Sequence, residues 1–160
     1  MNKDNKIISL LKKSITIKPD FSHPYSAMSD ILFKKNNYDE ACKYIDSAIK
    51  IEKKKVQDLN NKIEECNQIK KFYLIRKLSE NLKITLLDIS KYLLKKSKIL
   101  INQNNLKMAV VTLKESIKYN PDNAEPYFLL SKFEKNKKKA KEYLDISIDI
   151  DPEYSIIERR

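Results

Sequence analysis

The chain has 160 residues, no glycine, five prolines and a formal net charge of +11. This length allows one domain with its own core, or a short array of stacked helical pairs. The lack of glycine argues against a glycine-turned β-sandwich and a glycine-rich phosphate loop, so we expect an all-α protein. Two cysteines and one histidine make neither a disulfide framework nor a zinc set, and we predict no cofactor and no metal.

The basic excess comes almost entirely from lysine, since Arg76, Arg159 and Arg160 are the only arginines. Because Asn, Ile and Tyr are also abundant, the composition indicates the codon bias of an AT-rich genome more than selection for phosphate binding. The N-terminal segment has only a short apolar run between lysines, which predicts neither a secretory signal nor a membrane span. We therefore expect a soluble, cytoplasmic protein.

Residues 1–21 and 22–55 carry the first helical patterns. The segment 1–21 supplies one amphipathic helix, interpreted as half a repeat that caps one end. The segment 22–55 fits a full helix pair that turns at Asn36 and Asn37. Its apolar and small positions recur at helical spacing and are Tyr25, Met28, Ser29, Leu32, Ala41, Ile45, Ala48 and Ile51.

Residues 56–89 break this pattern, because bulky Ile63, Ile75 and Leu82 stand where small residues are expected. We favour an irregular helical pair, in phase with its neighbours, that turns between residues 67 and 71. The alternative is one long helix running from near residue 39 through residue 66, since a heptad seam with Glu52 as its flaw also fits. Thr85 and Asp88 form a capping box, which predicts that the next helix begins near residue 86.

Residues 90–123 hold the clearest pattern, and residues 124–154 hold a shortened copy of it. In the first segment, the bulky, small and proline positions are Leu93, Ser97, Leu100, Ala109, Leu113, Ser116 and Pro121. In the second, they are Tyr127, Leu130, Ser131, Ala140, Leu144, Ser147, Ile150 and Pro152. Residues 155–160 are the start of a further helix or a tail. Pro19, Pro121 and Pro152 each follow a second helix, which they terminate.

This order of bulky, small, alanine and closing proline positions resembles the 34-residue tetratricopeptide repeat. The resemblance implies an all-α, right-handed superhelical stack of antiparallel helix pairs, an α-solenoid, over residues 1–160. It implies a non-enzymatic protein-binding module that serves as a scaffold, an adaptor or a chaperone-like protein. Serine replaces the family's glycine at Ser29, Ser97 and Ser131.

Members of the family bind partners in an inner groove lined by the first helix of each repeat. The resemblance maps that groove onto Phe33, Lys91, Leu94, Lys98, Ile101, Phe128 and Lys132. Apolar patches bordered by lysines favour a peptide or protein segment with apolar and acidic residues. Ser26 and Asp30 replace two residues of the family's clamp for C-terminal carboxylates, which argues against that clamp.

No catalytic pattern stands beside these repeats. His23 lies alone at a helix start, and the adjacent Glu64 and Glu65 point to different helix faces, so we predict that the protein is not an enzyme. The alternative function is nucleic-acid binding through Lys53–Lys55 and the lysines of 135–141. Leu144 and Ile148 stay uncovered if the chain stops at residue 160, which predicts a weak homodimer through the C-terminal end.

Overall fold

The computed structural model describes residues 3–158, and the regular elements there are all helices. Predictions that involve residues 1–2 and 159–160, among them two arginines, lie outside this range, as does the side chain of Ile157. The helices are α1 Lys3–Ile17, α2 Ser22–Lys34, α3 Tyr38–Gln68, α4 Phe72–Asn102, α5 Leu106–Tyr119, α6 Ala124–Phe133, α7 Lys137–Ile150 and α8 Tyr154–Glu158. The prediction of an all-α fold is confirmed.

The chain divides into two compact units, Met1–Tyr92 and Leu93–Arg160, here called unit 1 and unit 2. In unit 1, α2 packs against both α1 and α3. In unit 2, α6 packs against both α5 and α7, and α7 also contacts α8. Each unit therefore contains a helix that is covered by the element before it and the element after it, as in helical repeats.

Three tight turns reverse the chain without glycine. Asn36, Lys70 and Asn104 have positive φ angles of 58°, 52° and 58°. At Lys70, its own N–H donates to the carbonyl of Asn67 (3.1 Å) and the N–H of Lys71 donates to Cys66 (3.0 Å). This pair of bonds is the Schellman motif, and it recurs at the other two turns. The three left-handed residues are one 34-residue repeat period apart, so the turn predicted between residues 67 and 71 is confirmed.

An Asn–Asn pair combines two functions at the outer turns. Asn36 takes the left-handed conformation, while the side chain of Asn37 accepts a hydrogen bond from the N–H of Glu40 and caps α3. Asn104 and Asn105 repeat this arrangement before α5. Asparagine tolerates the left-handed region and is among the best N-cap residues, so one dipeptide both ends a helix and starts the next.

The helix start predicted near residue 86 is wrong, because α4 runs without interruption from Phe72 to Asn102. Thr85 is fully buried, and its hydroxyl donates to the carbonyl of Asn81 (2.9 Å), four residues back along the same helix. Thr85 therefore lies inside α4 and does not cap the start of a helix. The long helix that was the alternative for residues 39–66 is present as α3, and the turn of the favoured hairpin is present as well. Residues 56–89 are therefore the adjoining parts of α3 and α4 on either side of that turn.

Small residues let the helices of unit 1 approach closely. Ala41 and Ala48 are fully buried, and Ser29 is 1% exposed. The Ser29 hydroxyl of α2 donates to the backbone carbonyl of Ala41 in α3 at 2.8 Å, a bond that requires the two backbones to lie close together. In unit 2, the core is Leu94, Leu113 and Leu130, with fully buried Ala109 and Ser116 nearby in α5.

The C-terminal end continues past Pro152 into the short helix α8. Leu144 and Ile148 are half-buried, whereas Ile146 and Ile150 are 38% and 37% exposed. Some apolar surface thus remains on α7. Among residues 3–158, none of the helices is long and apolar enough to cross a membrane.

Candidate functional site

The predicted groove residues divide between the two units. Phe33 and Lys91 belong to unit 1, and the other five belong to unit 2. In unit 1, the ring of Phe33 is half-buried and lies 5.7 Å from the ring of Tyr38, with an interplanar angle of 55°. Lys91 is exposed, and its Nζ lies 3.8 Å from Asp88 Oδ1.

Leu94 belongs to the core and not to an exposed surface. It is 8% exposed and packs with Leu113 and Leu130. Its neighbour Leu93 is also buried, because α4 is covered on adjacent faces at this point. Leu94 therefore offers little surface to a partner, and it is removed from the candidate site. Ile101, about two helical turns further along α4, is half-buried.

Lys98 and Glu125 connect the first helices of successive repeats in unit 2. Lys98 Nζ in α4 lies 2.6 Å from Glu125 Oε1 in α6, and the two side chains are 43% and 34% exposed. An ion pair this exposed contributes at most about 1 kcal/mol to stability. The pair places a cation and an anion side by side where α4 meets α6.

Phe128 forms an aromatic platform beside this ion pair. The centroid of the Phe128 ring lies 4.8 Å from that of Tyr154 in α8. Lys132 Nζ lies 4.8 Å from the centroid of the Phe128 ring. Burial raises the pKa of the Tyr154 hydroxyl, and the nearby carboxylate of Glu125 raises it further. Lys98, Glu125, Phe128, Lys132 and Tyr154 together are called the α6 surface below. Sequence reasoning missed Tyr154, which follows Pro152 in a segment without repeat features.

A second group, buried at the centre of unit 1, was also missed. The Ser22 hydroxyl of α2 donates to Glu52 Oε1 of α3, and the Tyr92 hydroxyl of α4 lies 3.3 Å from the same serine oxygen. Glu52 is 3% exposed. Its Oε2 lacks a hydrogen-bond partner but lies 3.5 Å from Nζ of the half-exposed Lys55. We call Ser22, Glu52 and Tyr92 the Glu52 cluster.

The Glu52 cluster has the features of a structural link rather than a catalytic site. Ser22 is fully buried and donates its proton to a carboxylate, so its oxygen is not presented to a substrate. His23, next in sequence, is exposed, and its ring stacks on Phe21 with centroids 5.0 Å apart. Burial raises the pKa of the Tyr92 hydroxyl, which keeps that group neutral. The cluster thus holds the start of α2 to α3 and α4.

The side chains that could bind a metal ion or a peptide differ in how they are grouped. Among the residues that the structure describes, no group of three or more His, Cys, Asp or Glu side chains could hold a metal ion. The α6 surface is a mixture of cationic, anionic and aromatic side chains, suited to reversible contacts with a peptide or protein.

Comparison with known families assigns the two regular segments. The model of the tetratricopeptide repeat matches residues 22–55 and 90–123, the bounds of the two full repeats given above. These two segments are therefore tetratricopeptide repeats, which are helical protein-interaction modules. No curated protein matches the sequence.

Solved structures give similar but distant matches. A MamA double mutant, "RS-1 ArsTM", is 13% identical, with 91% of this chain and 84% of that chain covered and a TM-score of 0.39. YrrB, described as a TPR protein with an unusual peptide-binding site, is 14% identical, with 93% and 97% covered and a TM-score of 0.40. MamA from Desulfovibrio magneticus RS-1, residue 41 to its end, is 13% identical, with 89% and 81% covered and a TM-score of 0.33.

Proposed function

We propose that the protein is a non-catalytic adaptor or scaffold that binds a peptide or protein segment on the α6 surface. The observation that carries this proposal is the Phe128 ring, which is half-buried between Tyr154 and Lys132 on the first helix of a repeat. An aromatic side chain held on two sides has little conformational freedom left to lose, so it can contribute contact area at low entropic cost.

The chemistry of the surface suggests the chemistry of its ligand. An aliphatic or aromatic side chain of the partner would cover the Phe128 ring, and a carboxylate would lie between Lys98 and Lys132. Ile101 extends the apolar part along α4. Phe33 and Lys91 remain part of the proposal as a second contact region on unit 1. Apolar burial would supply most of the affinity, and the lysines would favour acidic partners.

The experiment is a quantitative pull-down with the full chain and the variant Phe128→Ala, followed by affinity measurement with the recovered segment. We expect the variant to weaken binding at least tenfold, as truncation of an aromatic anchor does. Val111→Ala, which truncates an exposed side chain of α5 in the same unit, should bind normally. Equal binding by Phe128→Ala and the parent protein would reject the α6 surface as the site.

Nucleic-acid binding is the alternative function, and salt distinguishes it. Binding through Lys53–Lys55 or the lysines of 135–141 would weaken steeply between about 50 and 200 mM salt, whereas an apolar peptide contact would lose much less. Lys55 already lies 3.5 Å from Glu52, which reduces its value as a phosphate ligand. A cytoplasmic location stays a prediction. A weak homodimer through the C-terminal end also stays a prediction; Ile146 and Ile150 of α7 are exposed there, and light scattering tests it.

A further inference from the structure

The extensions of α3 and α4 form an arm made of two helices. Between Leu59 (8% exposed) and Thr85 (fully buried), no described residue is buried. We call residues 60–84 the hairpin arm. Its half-buried residues are Ile63, Cys66, Ile75, Leu78 and Leu82. All five are apolar and recur at helical spacing on α3 and α4, so each helix of the arm has one partly covered apolar stripe.

The end of this arm exposes large apolar side chains. Ile69 is 59% exposed, Phe72 is 72% exposed and Tyr73 is 78% exposed. Their backbone is fixed by the Schellman motif at Lys70, so the three side chains are displayed on an ordered turn. Single exposed apolar residues are common on proteins, but three large ones within five positions of one turn concentrate apolar surface at the end of the arm, which is typical of an interaction site.

The same turn is strongly cationic. Residues 66–79, here called the tip, contain Lys70, Lys71, Arg76 and Lys77 and no carboxylate, and Glu64 and Glu65 precede this segment. Arg76 Nε lies 3.4 Å from Glu80 Oε1, just outside the tip, but both side chains are largely exposed, at 85% and 65%. Such a pair is weak and leaves the cationic character of the tip intact. Apolar and positively charged groups therefore share one convex turn.

We propose that the tip docks on an anionic lipid bilayer. Ile69 and Phe72 would enter the boundary between headgroups and acyl chains, and Tyr73 would lie at headgroup depth, where amphipathic aromatic rings concentrate. The lysines and Arg76 would contact anionic headgroups. A convex turn suits a flat bilayer, whereas helical repeat proteins bind protein segments on extended concave surfaces. The tip lies outside the α6 surface, so this inference is independent of the proposed function.

The first experiment uses tryptophan fluorescence in the full chain, which contains no tryptophan of its own. The variant Tyr73→Trp is mixed with phosphatidylcholine vesicles and with vesicles in which about a third of the lipid is phosphatidylserine. We expect a blue shift, and quenching by brominated acyl chains, only with the anionic vesicles. The matched control is Val111→Trp, which replaces a 54% exposed side chain of α5 and should show neither effect.

The second experiment measures vesicle binding by flotation. Each cation near an anionic surface contributes about 1 kcal/mol, or about fivefold, so Lys70→Gln with Lys71→Gln should weaken binding about 25-fold. Phe72→Ser with Tyr73→Ser should weaken it at least tenfold. The control pair Lys43→Gln and Lys50→Gln removes the same charge from exposed positions of α3. Lys50 lies ~28 Å along the helix from residue 69, well beyond the screening length, so this pair should change binding less than twofold.

Three outcomes would overturn the proposal. One is a parent protein that does not bind the anionic vesicles at millimolar lipid. Another is equal loss of binding by the tip variants and by the α3 control pair, because the net charge of the whole chain would then explain the binding. The third is a blue shift of Tyr73→Trp with an acidic, phenylalanine-containing peptide but not with vesicles, which would make the tip a protein-docking surface. Circular dichroism of each variant verifies that the helices are intact.

Discussion

Replacing Ser29 by leucine tests the close approach of α2 and α3 directly. Ser29 is 1% exposed and its hydroxyl lies 2.8 Å from the backbone carbonyl oxygen of Ala41. A larger branched side chain has no space there, and overpacking of this kind costs ~1–3 kcal/mol. The lost hydrogen bond adds about 1 kcal/mol. We therefore expect Ser29→Leu to lower the free energy of unfolding by roughly 2–4 kcal/mol in total.

Two further variants separate these contributions. Ser29→Ala removes the hydrogen bond without adding volume, so it should cost about 1 kcal/mol. Ser79→Leu makes the same change as Ser29→Leu at an exposed position of α4 and should stay within about 0.5 kcal/mol of the parent protein. Urea denaturation followed by far-UV circular dichroism gives all three values. If Ser29→Leu and Ser79→Leu prove equally stable, the helices do not approach at residue 29 and the reasoning fails.

Three other substitutions test packing, turn geometry and burial. Ala109→Leu should cost ~1–3 kcal/mol in urea denaturation, whereas Val111→Leu at a 54% exposed position should cost little. Lys70→Gly should stabilise the protein by roughly 0.5–1 kcal/mol, because the φ angle of 52° at this position suits glycine better than lysine. Lys77→Gly, inside α4, should destabilise the protein by about 1 kcal/mol. Urea denaturation would refute this reasoning if both variants changed the free energy of unfolding in the same direction. Burial raises the pKa of Tyr92 above 10.0, so its contribution to stability is present below about pH 10 and is lost as pH rises towards the folded-state pKa. Tyr92→Phe should show a smaller loss of stability above pH 10 in denaturation curves measured across that range, and an unchanged loss would contradict this.

The small-residue positions show what local sequence can predict. Ser29, Ala41, Ser97 and Ala109 were assigned to helix contacts because their spacing resembles the tetratricopeptide repeat, and each is at most 1% exposed. Ser131 and Ala140, assigned in the same way in the shortened copy, are half-buried. This prediction works because close packing of two helices excludes large side chains whatever the rest of the chain does. The turn at residue 70 could also be predicted locally, because an apolar face at helical spacing ends before it and another begins after it.

The Glu52 cluster shows what local sequence cannot predict. Glu52 interrupts an otherwise apolar face of α3, and from the sequence it is only a flaw in that face. Its partner Ser22 is 30 residues away, and Tyr92 is 70 residues away from Ser22. A buried carboxylate is tolerated only when such distant groups satisfy it, and no spacing rule brings them together. Leu94 failed as a groove residue for a related reason, because its burial depends on Leu113 and Leu130 of other helices.

The length of α3 and α4 follows from two missing prolines. Proline stands two residues past the end of α1, α5 and α7, at positions 19, 121 and 152. Steps of one 34-residue period from Pro19 lead through positions 53 and 87 to Pro121, and those two positions hold Lys53 and Leu87. Both residues keep the backbone N–H that a helix needs, so each helix continues through the point at which a repeat would end. The turns with left-handed residues are retained while the turns with prolines are lost, and this difference converts a regular middle repeat into a hairpin arm.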